Sequence, residues 1–256
     1  MCMDARGLLR SAAAALALVS AASGPALAAE VHVAVASNFS APMQKIAAQF
    51  ERDTGHRAVL SFGATGKFYA QIRNGAPFQV LLSADDDTPT RLVREGAGVA
   101  ASQFTYATGR LVLWSRDAGR VDALGAVLKT GGFQRLALAD PKLAPYGAAA
   151  MEVLKSLGLA QALAPKLVQG ENISQAFQFT ASGNAEVGFV AMAQVFAEGQ
   201  LTRGSAWLVP AAMHTPIKQD ALLLNAGQRK PAATALLAYL KSDQARGIIR
   251  SFGYDL

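Results

Sequence analysis

Short apolar runs alternate with stretches of helical spacing along this chain. Residues 31–36 (Val-His-Val-Ala-Val-Ala) read as a strand, and within 41–50 apolar side chains recur at Met43, Ile46, Ala47 and Phe50, one face of a helix. Pro42 suits a helix's first turn, and Gly55 in Thr54-Gly55-His56 supplies its stop. The alternation continues with a strand over 57–62 and a helix through Tyr69, Ile72 and Arg73 that ends at Gly75-Ala76-Pro77. A buried-type strand at 78–82 then leads into Ser83-Ala84-Asp85-Asp86-Asp87, which predicts a helix start with carboxylates in its first turn. Later strands are expected at 111–115, 136–140, 166–168, 187–190 and 220–224. Helices are expected from Gly147 to Leu157, from Ser174 to Thr180 with Asn172 as cap, and as one C-terminal helix from Pro231 to about Phe252.

Repeated strand–helix units predict an α/β fold of mainly parallel sheets covered by helices on both faces. No internal repeat or low-complexity linker interrupts the pattern. Crossovers near 108 and 209 divide the chain into two lobes, 29–108 plus 210–256 and 109–209, the first built from both chain ends.

The first 28 residues stand outside this pattern. Arg6 and Arg10 precede an Ala/Leu-rich stretch from Leu8 to Ala22, and Pro25-Ala26-Leu27-Ala28-Ala29 carries an A-x-A cleavage pattern. This predicts a secretory signal peptide over 1–28, cut after Ala28, and a periplasmic protein. Cys2, the only cysteine, leaves with it, so the mature chain has neither disulfides nor thiolate ligands. Cutting 28 of 256 residues leaves 228, enough for two cores. Losing Asp4, Arg6 and Arg10 takes the formal charge from +6 to +5, which favours anions at long range. The basic residues are scattered and not interleaved with aromatics, which argues against nucleic acid as a partner.

Two motifs carry the candidate chemistry. Ser37-Asn38-Phe39 and Gly63-Ala64-Thr65-Gly66 each stand where a strand gives way to a helix. Helix starts present unpaired N–H groups and partial positive charge, so two of them facing one another form a neutral anion pocket. Read singly, each is a helix cap; their place in successive units of one sheet, at the strands' carboxyl ends, favours a site. Other signals fail. Gly63–Lys67 resembles the end of a P-loop, but Ser61 stands at the first glycine position and Phe68 where Ser or Thr must hold Mg²⁺. Asp85-Asp86-Asp87 lacks the glycine and later Glu of a calcium loop. His32, His56 and His214 show no ligand spacing, and no Gly-x-Ser-x-Gly elbow is present. A periplasmic hydrolase, the alternative of a different class, would need such groups.

The strings Ala36-Ser37-Asn38-Phe39, Gly63-Ala64-Thr65-Gly66-Lys67-Phe68-Tyr69, Asn74-Gly75-Ala76-Pro77, Ser83-Ala84-Asp85, Asp140-Pro141-Lys142-Leu143-Ala144-Pro145-Tyr146-Gly147 and Gly188-Phe189-Val190-Ala191 resemble the periplasmic molybdate-binding proteins, solute receptors of ABC importers. The resemblance runs in order over the mature chain. It implies a two-lobed type II periplasmic-binding-protein fold with hinge strands between lobes and the anion in the cleft. It further implies a monomer that delivers molybdate or tungstate to an inner-membrane permease, with no cofactor and no catalysis. Molybdenum would be bound only as its oxyanion. Carried over position by position, the ligand set is Ser37, Asn38 and Thr65 from the first lobe, with Tyr146 and the backbone N–H of Ile173 from the second. The enterobacterial pattern has Ser at Thr65 and Tyr at Ala191; Thr65 keeps the hydroxyl, and Tyr146 offers a replacement phenol from another loop. A receptor for another tetrahedral oxyanion, such as sulfate, would share this fold and site.

Overall fold

The computed structural model describes residues 28–256, so the expected signal segment lies, but for Ala28, outside the described residues. Two five-stranded sheets organise the chain. The first contains β1 (Glu30–Ala36), β2 (Arg57–Gly63), β3 (Val80–Leu82) and β4 (Phe104–Gly109). The second contains β5 (Leu111–Ser115), β6 (Leu136–Ala139), β7 (Leu167–Gly170) and β8 (Val187–Ala191). A short hairpin, β9 (Phe196–Ala197) and β10 (Gln200–Leu201), precedes β11 (Ser205–Leu208), which joins the second sheet, and β12 (Ile217–Leu223), which joins the first. The orders are β2-β1-β3-β12-β4 and β11-β5-β8-β6-β7. In each sheet four strands point one way, and the single reversed strand, β12 or β5, pairs antiparallel with both its neighbours. The sheets are therefore mainly parallel, as the repeated strand–helix units require. The chain passes between sheets only twice, at Arg110 and over 209–216.

The helices are α1 (Ser40–Thr54), α2 (Thr65–Arg73), α3 (Asp87–Arg94), α4 (Val127–Thr130), α5 (Pro145–Ser156), α6 (Ala160–Leu163), α7 (Ile173–Ser182), α8 (Pro231–Leu240) and α9 (Asp243–Ser251). Their placement follows from the period-two side-chain alternation of strands. Val31, Val33 and Val35 of β1 pack with Met43, Ile46 and Phe50 of α1, Leu236 of α8 and Ile249 of α9. Ala34 and Leu81 face the other way, against Phe68 of α2 and Leu92 of α3. Burying each large side chain contributes roughly 1.5–3 kcal/mol, so neither face of this sheet can be left wet. In the second sheet Leu111, Leu113 and Phe189 pack with Val153 of α5 and Ala176 of α7, while Val112, Trp114 and Val190 form a second cluster with Phe177.

The predicted stops hold. Gly55 adopts φ 73° after α1, and its N–H bonds back to Glu51. Three local expectations change. The single C-terminal helix is two, because Ser242 caps a new start by accepting from the Ala245 N–H. The helix expected to begin at Ser83 begins at Asp87. Asp85 instead ties the turn together, accepting from Ser83 Oγ at 2.9 Å and from the Thr88 N–H at 2.9 Å. Strands β4 and β11 emerge from stretches without clean alternation: β4 is zipped to β12 and β11 to β5, so long-range pairing sets them.

Candidate functional site

The loops after β1 and β2 begin at the strands' carboxyl ends and turn at once into helices. Ser37, Asn38 and Phe39 form a single 3₁₀ turn before α1, while Thr65 is the first residue of α2 behind the extended Ala64. From the second sheet, Tyr146 stands at the second residue of α5, behind Pro145, and Ile173 is the first residue of α7. All five residues named from the sequence line one small cavity, together with Gly63, Ala64, Pro145 and Asn172. Ser37, Asn38, Thr65, Tyr146 and Ile173 are each 6% exposed or less. No Asp, Glu, Lys or Arg contributes to the wall.

The hydrogen-bond network fixes what each group offers the cavity. Thr65 Oγ1 accepts the Ala84 N–H at 3.1 Å, which leaves the hydroxyl proton for another acceptor. Tyr146 Oη accepts from Gln219 Nε2 at 3.2 Å with the same consequence. Ser37 Oγ has no hydrogen-bond partner among the described residues. Asn172 accepts from Ser174 N–H at 3.0 Å and Gln175 N–H at 3.1 Å, so the cap serves the second and third residues of α7. The Ile173 N–H, at the first position, is left facing the site. Asn38 departs from the expected picture in one respect. Both protons of its side-chain amide are spent inside the protein, on Gln219 Oε1 at 2.8 Å and Tyr254 Oη at 3.1 Å. Its donor toward the cavity is therefore the first-turn backbone N–H.

Burial pushes the phenols of Tyr106, Tyr146 and Tyr254 well above their usual range, and neighbouring phenols and carboxylates push Tyr106 and Tyr146 in the same direction. They are protonated at neutral pH and able to donate. The cavity thus gathers hydroxyl and N–H protons without a formal charge, the arrangement that suits a small anion whose oxygens only accept.

A larger groove of about 360 Å³ lies beside it, bounded by Asp85, Asp86, Asp87 and Glu152, with Leu143 and Pro145. Its carboxylates disfavour an anion. The Asp85 carboxyl is itself raised by burial, partly offset by its bonds from Thr88 and Ser83. Among the described residues no three His, Cys, Asp or Glu side chains gather to hold a metal ion. His32 is exposed on β1, whereas His56 and His214 are half-buried in separate loops. Ala191 is fully buried at the end of β8, its N–H held by Gln194 Oε1, and it does not reach the cavity.

Four contacts join the halves around the cavity. The Gly66 N–H donates to Leu143 O at 2.9 Å, Ser174 Oγ to Ser37 O at 3.1 Å and Gln219 Nε2 to Tyr146 Oη. Lys67 Nζ meets Glu171 at 2.6 Å on the rim. The close approach of Gly66 and Leu143 favours glycine, since a Cβ there would sit a tight 3.1 Å from Leu143 backbone atoms. Sequence reading missed Tyr106, Gln219 and Tyr254, which support the site from behind. The available signal was the polar run Lys218-Gln219-Asp220 in a strand whose other residues are apolar, with Gln219 and Asp220 both buried.

A family profile described as bacterial extracellular solute-binding protein matches residues 31–255. The chain belongs to this family. Among relatives in it, the molybdate-binding protein ModA of Azotobacter vinelandii is 58% identical over 231 residues, spanning 90% of this chain and 92% of that one. The molybdate-binding protein ModA of Rhodobacter capsulatus is 54% identical over 247 residues, 96% of each chain. A solved structure, the Azotobacter vinelandii periplasmic molybdate-binding protein, superposes with a TM-score of 0.86 at 41% identity, over 88% of this chain and 99% of that one. The solute-binding fold of the family, two mixed α/β sheets with a cleft between them, is the fold described above.

Proposed function

We propose that this chain is the periplasmic receptor of a molybdate ABC importer, which holds molybdate between two lobes, 29–108 plus 210–256 and 109–209. The observation that carries this reading is the carboxylate-free cavity at which Ser37, Thr65, Tyr146 and two helix starts converge, in a chain so similar to molybdate-binding relatives. Its ligands are Ser37 and Thr65 hydroxyls, the Tyr146 phenol and the backbone N–H groups of Asn38 and Ile173.

Molybdate near neutral pH is a tetrahedral dianion whose oxygens only accept hydrogen bonds. Helix-start N–H groups and hydroxyl protons match it without a counter-charge. Hydrogen phosphate carries a proton that needs an acceptor, and the wall offers only hydroxyl oxygens for it, with no carboxylate. A hydroxyl that turns to accept that proton is lost as a donor to the anion, at a cost of about 1–3 kcal/mol, enough for discrimination. Sulfate shares molybdate's charge and shape and is separated by size; tungstate, of nearly the same size, binds comparably. Donors from both lobes reach the anion together only in the closed form, which is the form the permease reads. The chain acts as a receptor and not as an enzyme: the cavity wall carries no carboxylate, imidazole or thiol with which to activate a nucleophile.

Calorimetric titration of the purified mature protein with molybdate, tungstate, sulfate and phosphate tests the reading. Tight one-to-one binding of molybdate is expected, with sulfate and phosphate weaker. Ser37→Ala and Thr65→Ala each remove one donor, with an expected loss of about tenfold in affinity and a retained fold. Unchanged affinity in both variants rejects the site.

A further inference from the structure

Behind the cavity lies a chain of hydrogen bonds that links Tyr254, Asn38, Gln219 and Tyr146. Tyr254 donates its proton to the Asn38 carbonyl at 2.8 Å, so its oxygen can only accept from Asn38 Nδ2. Asn38 Nδ2 spends its second proton on Gln219 Oε1, and the single Tyr106 proton is shared between Ser83 O at 2.9 Å and Gln219 Oε1 at 3.0 Å. Gln219 Nε2 points at Tyr146 Oη and donates to it. Gln219 is fully buried in β12 of the first sheet, Tyr146 stands on α5 against the second, and Gln219 is not part of the cavity wall. The two meet across Gly109, where a Cβ would lie 2.1 Å from Tyr146 Oη and 2.6 Å from Gln219 Nε2.

We propose that Gln219 is the positioning residue that sets the site's preference for a fully deprotonated oxyanion, by holding the Tyr146 phenol as a proton donor toward the cavity. This rests on the molybdate reading above. The amide has one face for each role: its oxygen is anchored by Asn38, and its nitrogen denies Tyr146 any acceptor on that side. A carboxylate at 219 has the same shape but reverses the last bond. It would accept the Tyr146 proton and turn the phenol's lone pairs toward the anion, which suits an oxyanion that still carries a proton.

The test is titration of wild type, Gln219→Glu, Gln219→Met and Tyr146→Phe with sodium molybdate and with inorganic phosphate at neutral pH, each variant first checked by circular dichroism. Gln219→Glu is expected to weaken molybdate by about tenfold or more and to narrow the molybdate-over-phosphate ratio by at least about tenfold. Gln219→Met, which neither donates nor accepts, is expected to weaken molybdate by about threefold to tenfold without gaining phosphate. In a Tyr146→Phe background both substitutions should change the molybdate-over-phosphate ratio less than about twofold, because the group they act through is gone. A wild-type ratio in Gln219→Glu, or equal changes with and without the Tyr146 hydroxyl, overturns the role of Gln219. Should Gln219→Glu fail to fold, an unchanged molybdate affinity in Gln219→Met overturns it as well. Failure of the wild-type protein to bind molybdate would instead remove the functional reading itself, so the two failures are distinct.

Discussion

Three buried phenols, Tyr106, Tyr146 and Tyr254, stand within one network, and each holds its proton more tightly than a free tyrosine does because burial penalises the phenolate. As pH rises past about 10, the unfolded chain ionises first. Their contribution to stability is therefore whole below about pH 10 and is lost as the pH climbs toward their raised folded-state values. No His, Asp, Glu or Lys lines the cavity, so nothing in it titrates between about pH 7 and 9. Molybdate affinity should be flat over that window at constant ionic strength, and the thermal midpoint should fall steeply above about pH 10. Calorimetry and thermal melts at stepped pH check both halves. A sloping affinity between pH 7 and 9 would mean that an ionisable group other than a phenol touches the anion.

At the scale of elements, α7 shows how a cap and a ligand site share one helix start. Asn172 binds the N–H groups of Ser174 and Gln175 and leaves that of Ile173 to the cavity, whose wall Asn172 itself helps form. Asn172→Ala should cost about 1 kcal/mol of stability, read as a fall of roughly 2–4 °C in the thermal midpoint. Asn172→Asp separates the two roles. Aspartate caps as well as asparagine, so the midpoint should recover, but its charge beside a dianion should weaken molybdate by at least about tenfold. An aspartate variant that binds like wild type would place the anion away from α7. The cap was legible in the sequence because capping is local, as were the turns at Ser37 and Thr65, where hydroxyl residues follow an apolar run. Tyr146 and Ile173 were reached through resemblance alone, since nothing in their own spacing points to a ligand. Gln219, Tyr106 and Tyr254 were not legible: most of their partners lie 73 to 216 residues away, and the chain between them must first fold. The break at Ser242 was also missed, because a Ser-Asp start inside a long helical pattern competes with continuation, and packing of α9 on α1 decides between them.

For the whole molecule, the question is what keeps the proposed lobes together. Around the cavity the contacts are three neutral hydrogen bonds, each of about 0.5–1.5 kcal/mol net, and the Lys67–Glu171 pair; away from it the halves also meet through Glu198 N–H on Ser251 O, Thr215 N–H on Glu152, the Arg110–Asp255 pair and the packing of Ala36, Ala84 and Ile217 on the second sheet's core. The Lys67–Glu171 pair is short, but its side chains are 45% and 44% exposed, which limits it to at most about 1 kcal/mol. An anion that collects donors from both sides shifts the balance toward closure, because its contacts exist only in the closed form. Small-angle scattering should show the radius of gyration fall when molybdate is added, and Ser37→Ala should need more molybdate for the same change. The rim pair is expected to modulate this closure only weakly. Lys67→Met should raise the dissociation constant by no more than about fivefold at low salt, and the difference should vanish near 1 M sodium chloride, where the screening length is about 3 Å. A larger effect that persists in high salt would make the ion pair, and not the neutral donors around the anion, the clasp that holds the two halves shut.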